Sequence, residues 1–171
     1  NDQNGLGYVR GGYVTLGLEQ AAVSAAGHDT GVVVGALVDC NGKILLRPSP
    51  TSGRLQLVAS GLDQQRGSIS RLKTILDELN IGAVIKSLYA VFENEETERQ
   101  FIFYRAIADH EDTDNSFYAQ DEIPWDKLDD KAVVTMVKRY FEESHDQRYG
   151  VYFGNHNSGT VQHSDEVNQD R

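Results

Sequence analysis

The stretch over residues 31–38, Gly-Val-Val-Val-Gly-Ala-Leu-Val, carries no polar side chain. An apolar run of that length without alternation predicts a strand buried on both faces. Asp39-Cys40-Asn41-Gly42-Lys43 follows, and its Asn-Gly pair predicts a tight hairpin turn. Ile44-Leu45-Leu46-Arg47 returns as the second strand until Pro48, Pro50 and Gly53 break it. A short segment over 55–58 and a loop over 59–67 lead to a helix over 68–79, where Ile69, Leu72, Ile75, Leu76 and Leu79 keep helical spacing. Its other face carries Arg71, Lys73, Thr74, Asp77 and Glu78, and Asn80 supplies a left-handed stop.

Two longer strands are predicted over 84–92 and 100–108, joined by the acidic segment 93–98, which reads as a solvated hairpin tip. The unbroken Phe101-Ile102-Phe103-Tyr104 suits a central strand. A polar, acid-rich loop over 109–121 and the phrase Glu122-Ile123-Pro124-Trp125 precede a second helix over 130–144, with Val133, Met136, Val137, Tyr140 and Phe141 as its core face. Residues 145–171 are polar, and from Asn155 onward little order is expected. The order of hairpin, loop, helix, long hairpin, loop, helix predicts an α/β (α+β) fold with a mixed β-sheet between helices. The expected organisation is an N-terminal stub and linker over 1–29, a compact domain over 30–148 and a polar C-terminal tail over 149–171.

Composition narrows the function. A chain of 171 residues, 39% hydrophobic, suits one domain with a real core. A net charge of −10 repels phosphate backbones, so nucleic-acid and anionic-membrane partners are not expected. Cys40 is the single cysteine, which excludes an internal disulfide, and no basic neighbour in sequence marks it as a nucleophile. No apolar run approaches the roughly 20 residues that span a bilayer. The opening Asn-Asp-Gln-Asn-Gly has neither an initiator Met nor the order of a signal peptide, and reads as part of a longer, cytoplasmic protein. His110, His145, His156 and His163 lack a metal-binding spacing. No Walker-type loop or Rossmann fingerprint is present.

The element order and several phrases resemble the Nudix hydrolase superfamily over about residues 30–144. That resemblance implies an α/β/α sandwich and a signature of Gly, five residues, Glu, seven residues, then Arg-Glu-apolar-x-Glu-Glu-x-Gly-apolar. Aligned without gaps, Lys73 stands for the Arg, Ile75 and Ile81 fill the apolar slots, Asp77 and Glu78 replace the Glu-Glu pair, and Asn80 replaces the Gly. Thr74 stands where the first metal-binding Glu belongs, Ala59 where the Gly belongs and Gln65 where the outlying Glu belongs. Val58-Ala59-Ser60 occupies the place of the usual Pro-Gly-Gly. The box is therefore degenerate.

The family likeness implies Asp77 and Glu78 as catalytic and Mg2+-binding residues, and Arg47, Arg66, Arg71 and Lys73 as phosphate-binding residues. Glu111, Asp112 and Asp114 lie in a loop that supplies the water-activating base in some members. It also implies a nucleotide or dinucleotide small-molecule ligand with a diphosphate, and a homodimer. With charges missing at 65 and 74, the metal clamp is incomplete and pyrophosphohydrolase activity is expected to be weak or absent. Without the likeness, Asp77 and Glu78 are a solvated helix face, the 111–114 acids a polar loop, and Trp125 a packing residue rather than a base-binding one. The stub Tyr8-Val9-Arg10-Gly11-Gly12-Tyr13-Val14-Thr15-Leu16-Gly17 resembles the closing phrase of the flavin-reductase-like family, which binds FMN. It implies an upstream fused domain; without that likeness the phrase is an unrelated edge strand. The competing reading is a non-catalytic regulatory or interaction module of a larger protein.

Overall fold

The computed structural model describes residues 18, 21, 31–49, 52–62, 67–111, 115–129, 131–155 and 160–164. The Tyr8–Gly17 phrase, Gln65, Arg66, Asp112, Asp114 and His156 lie outside the described residues.

Among the described residues, nine strands, β1 (Val32–Cys40), β2 (Lys43–Pro48), β3 (Leu55–Gln56), β4 (Val58–Gly61), β5 (Ala83–Asn94), β6 (Arg99–Ala108), β7 (Ser116–Tyr118), β8 (Val151–Asn155) and β9 (Thr160–Ser164), form one mixed sheet. The order is β3-β2-β1-β6-β5-β8-β9, with β4 paired to β1 and β7 to β2. Helix α1 (Ser68–Glu78) covers one face and α2 (Lys131–Ser144) the other.

Alternation along β1 makes this sandwich. Val33 and Leu37 point into the core that α2 closes with Val133, Met136, Val137, Tyr140 and Phe141. Val34, Ala36, Val38 and Cys40 point into the core that α1 closes with Leu72, Ile75 and Leu76. A strand covered on both sides has no solvent face, hence its unbroken apolar run. Gly35 is required by close approach, because a Cβ there would overlap the Phe103 ring and the Val58 carbonyl oxygen.

The turn prediction holds in detail. Cys40 pairs with Lys43, and Asn41 and Gly42 take φ of 54° and 85°. Asn and Gly tolerate that left-handed geometry, which matches the twist of the flanking strands. Asp39 Oδ1 accepts from the Gly42 N–H at 2.8 Å. Below this turn β2 peels away from β1, and β4 takes its place against Val33–Ala36.

Four strands depart from the expectations. β4 and β7 form inside segments read as loop, because each needs only a few backbone bonds to a long, already ordered neighbour. The expected polar tail contains β8 and β9. β8 runs parallel to β5 at Ala90–Glu93, and buried Tyr152 joins the α2-side core. Among the described residues, no helix is long and apolar enough to cross a membrane.

Candidate functional site

Helix α1 (Ser68–Glu78) carries the segment aligned with the family signature. It begins after Gly67, which has no side-chain cap, and ends where Asn80 turns left-handed at φ 59°. There the Asn80 N–H donates to the Asp77 carbonyl at 3.1 Å and the Ile81 N–H to the Leu76 carbonyl at 2.8 Å. The stop therefore uses Asn where the family signature has Gly.

The polar residues of α1 fall into two stripes. Arg71, Thr74 and Glu78, at i, i+3 and i+7, share one flank of the helix. Arg71 reaches β4 from it, donating from Nε to the Gly61 carbonyl at 3.3 Å and from Nη2 to Ser60 Oγ at 3.0 Å. Lys73 and Asp77 line a different feature, a groove of about 510 Å³ between α1 and β5. Its rim includes Ile69 and Val84, 45% and 62% exposed. The two stripes adjoin, since Thr74 has Asp77 three residues on and Glu78 four residues on. Asp77 and Glu78 are both exposed.

This arrangement does not fit Mg2+ as a resident metal. A hard cation needs several oxygens converging on one point. Thr74 supplies a neutral hydroxyl where the signature has a glutamate, and that hydroxyl donates to the Ser70 carbonyl at 3.2 Å. Among the described residues, no group of three His, Cys, Asp or Glu gathers as a ligand set.

The other candidates are dispersed. Arg47 sits in β2 and donates through Nη1 to Asn115 Oδ1. Glu111 is exposed and pairs with Lys43 at 3.4 Å, a surface contact. Trp125 packs against the α2-side core beneath the Lys138 ammonium, 5.6 Å from its ring, which is the packing role. Cys40 is buried, and burial first, then the Glu111 carboxylate, pushes its thiol pKa up, away from nucleophile chemistry.

Two polar assemblies were not singled out by the sequence. One is the carboxylate of Glu143, which accepts from the Tyr89 hydroxyl at 2.9 Å, from the Gly150 N–H at 3.0 Å and from the Tyr152 hydroxyl. It ties α2 to β5 and β8. The other is the row Gln56, Arg47 and Asn115 on β3, β2 and the approach to β7. The polar Gln56 between Leu55 and Leu57 is the sequence signal that could have found it.

No family model matches the chain. It is 33% identical over 160 residues to a probable flavin reductase of Rhizobium meliloti, covering 92% of this chain and 50% of that protein. It is 28% identical over 158 residues to the reductase component of a flavin-dependent trigonelline monooxygenase of Acinetobacter baylyi, covering 92% and 49%. The chain thus spans about half the length of the curated relatives it matches. Among solved structures it resembles a NUDIX hydrolase from Nitrosomonas europaea, with TM-score 0.65 and 23% identity over 72% of this chain and 77% of that one. An ADP-ribose pyrophosphatase from Streptococcus suis gives TM-score 0.57 and 15% identity over 71% and 97%. The chain has the Nudix fold, of the α+β class, and its nearer sequence likeness is to flavin reductases.

Proposed function

We propose that this chain is a ligand-binding Nudix-fold domain of a cytoplasmic, homodimeric flavin reductase, recognising a nucleotide or dinucleotide diphosphate and hydrolysing it slowly or not at all. One observation carries the reading: Thr74 offers no carboxylate on α1, while Arg71 is anchored against β4 through Ser60 and Gly61. A fixed guanidinium suits a diphosphate as a binding partner, since donors remain on it beyond the two bonds to Ser60 and Gly61. It does not suit the paired cations that clamp attacking and leaving oxygens. Arg66 and Lys73 are secondary cations in this reading.

The test is incubation with ADP-ribose, NADH, FAD and nucleoside triphosphates, with and without Mg2+ or Mn2+, while product formation is followed. The expected result is little or no product, unchanged in Glu78→Gln. Metal-dependent turnover that Glu78→Gln abolishes would overturn the binding-domain reading in favour of an enzyme using Asp77 and Glu78 as metal ligands. A second reading, a purely regulatory or interaction module without a small-molecule ligand, is favoured by the match of 92% of the chain to half of a flavin reductase. It predicts no thermal stabilisation by any nucleotide of the panel.

A further inference from the structure

The α1 face of the sheet is covered over part of its width. Register traces one row across four strands on that face: Val34 of β1 pairs with Ile102 of β6, Ile102 with Val91 of β5, and Val91 with Phe153 of β8. Val34 is fully buried in the core that α1 closes. Burial is then lost along the row: Ile102 and Val91 are half-buried, and Phe153 is 42% exposed. None of these three packs into either core. Leu88, paired with Tyr104, extends the same face and lines the groove beside α1. An apolar row that runs out from beneath its helix is a contact surface left over after the core is complete.

The two ends of this face carry opposite charge. Along β5 the exposed Lys86 stands two residues before Leu88, and the exposed Glu93 two residues after Val91. Lys86 lines the groove beside α1, where it and Lys73 outnumber Asp77. At the other end Glu93, Glu95 and Glu98 outnumber Arg99 in a second groove of about 410 Å³. No ion pair joins Lys86 or Glu93 to another described residue. The order along β5 is therefore cation, apolar, apolar, anion, and it is symmetric in spacing about a point between Leu88 and Val91.

We propose that this face is a self-association surface and that its occupant is a second copy of this chain, with β5 crossing its counterpart antiparallel. A two-fold axis between Leu88 and Val91 sets Leu88 against the partner's Val91 and Lys86 against the partner's Glu93, and repeats both contacts. Phe153 supplies an aromatic anchor from each copy. Two chains of net charge −10 repel at long range, so a copy is held only where apolar surface and opposite charges meet locally. The proposal rests on the homodimer of the reading above, to which it gives an interface, and does not involve the nucleotide.

The test is sedimentation velocity of this chain over a range of concentrations, with Phe153→Asp, Lys86→Glu and the double variant Lys86→Glu/Glu93→Lys beside it. All three positions are exposed, so the variants should fold, which far-UV circular dichroism checks. The original chain should show a monomer–dimer equilibrium that Phe153→Asp and Lys86→Glu each weaken by about tenfold or more. The double variant, with the two signs exchanged, should return to within about threefold of the original. A dimer indifferent to both single substitutions overturns this interface and leaves the homodimer standing. Dimerisation lost in Lys86→Glu and not regained in the double variant overturns the two-fold pairing. A chain that stays monomeric overturns both the interface and the homodimer and leaves the face to another partner, while nucleotide binding is judged by its own titration.

Discussion

Replacing Glu143 by Gln tests what holds the sheet together beyond the second helix. One carboxylate at the end of α2 accepts three hydrogen bonds, from the Tyr89 hydroxyl on β5, the Tyr152 hydroxyl on β8 and the Gly150 backbone N–H. Glu143→Gln keeps the side-chain length and one carbonyl oxygen, which can still meet Tyr89. At the other position it sets an amide N–H against the Gly150 N–H, donor against donor. A buried donor left unpaired costs about 1–3 kcal/mol, and two hydroxyls lose a charged acceptor worth a further kcal/mol or so between them. The expected loss is about 2–4 kcal/mol, below a simple sum because the three bonds share one group. It is read from the midpoint of urea unfolding at constant m-value. Amides of β8 should also exchange faster with solvent, whereas those of β1 should change only with global stability. A loss below about 0.5 kcal/mol, with β8 exchange unchanged, would refute the argument.

Three further outcomes follow from the packing. Gly35→Ala should destabilise by about 1–3 kcal/mol or more, measured by denaturant unfolding, since the added methyl meets the Phe103 ring and the Val58 carbonyl. Burial, reinforced by the Glu143 or Asp39 carboxylate, pushes the Tyr89, Tyr140 and Tyr152 hydroxyls well above the ordinary tyrosine pKa. The folded chain therefore holds these protons more tightly than the unfolded one, so stability is full below about pH 10 and falls as pH climbs beyond it. Melting temperature against pH, with tyrosinate absorbance alongside, checks this; a melting temperature that rises above pH 10 would contradict it. Arg71→Ala should weaken nucleotide binding at least several-fold by calorimetric titration, while Lys73→Ala, on the other stripe, should change it less.

Much of the fold was legible because local chemistry agreed with the global packing. The unbroken run before Asp39 named a strand with no solvent face, and Asn41-Gly42 named the turn that follows it. Asn80 stopped the helix as its residue type allows. β4 and β7 were hidden because their order comes from partners far along the chain, Val33–Ala36 and Ile44–Leu46, rather than from their own pattern. β8 was hidden because Tyr152 depends on Glu143 and on β5, a link that no local window contains. The site was less legible than the fold. Sequence spacing puts Asp77 and Glu78 side by side, and only the structure shows that Asp77 lines the groove against β5. The family likeness implies Arg71 as a phosphate ligand, and its anchoring to Ser60 and Gly61 appears only once β4 is in place.

The most direct test of the proposed Nudix-fold domain that holds a nucleoside diphosphate without cleaving it is urea unfolding in ADP-ribose, with and without Mg2+, with the ligand analysed afterwards. At 100 times its dissociation constant the ligand should raise the unfolding free energy by about 2.7 kcal/mol and be recovered intact. An unmoved midpoint, or ligand recovered as cleaved products that Glu78→Gln prevents, would contradict the account.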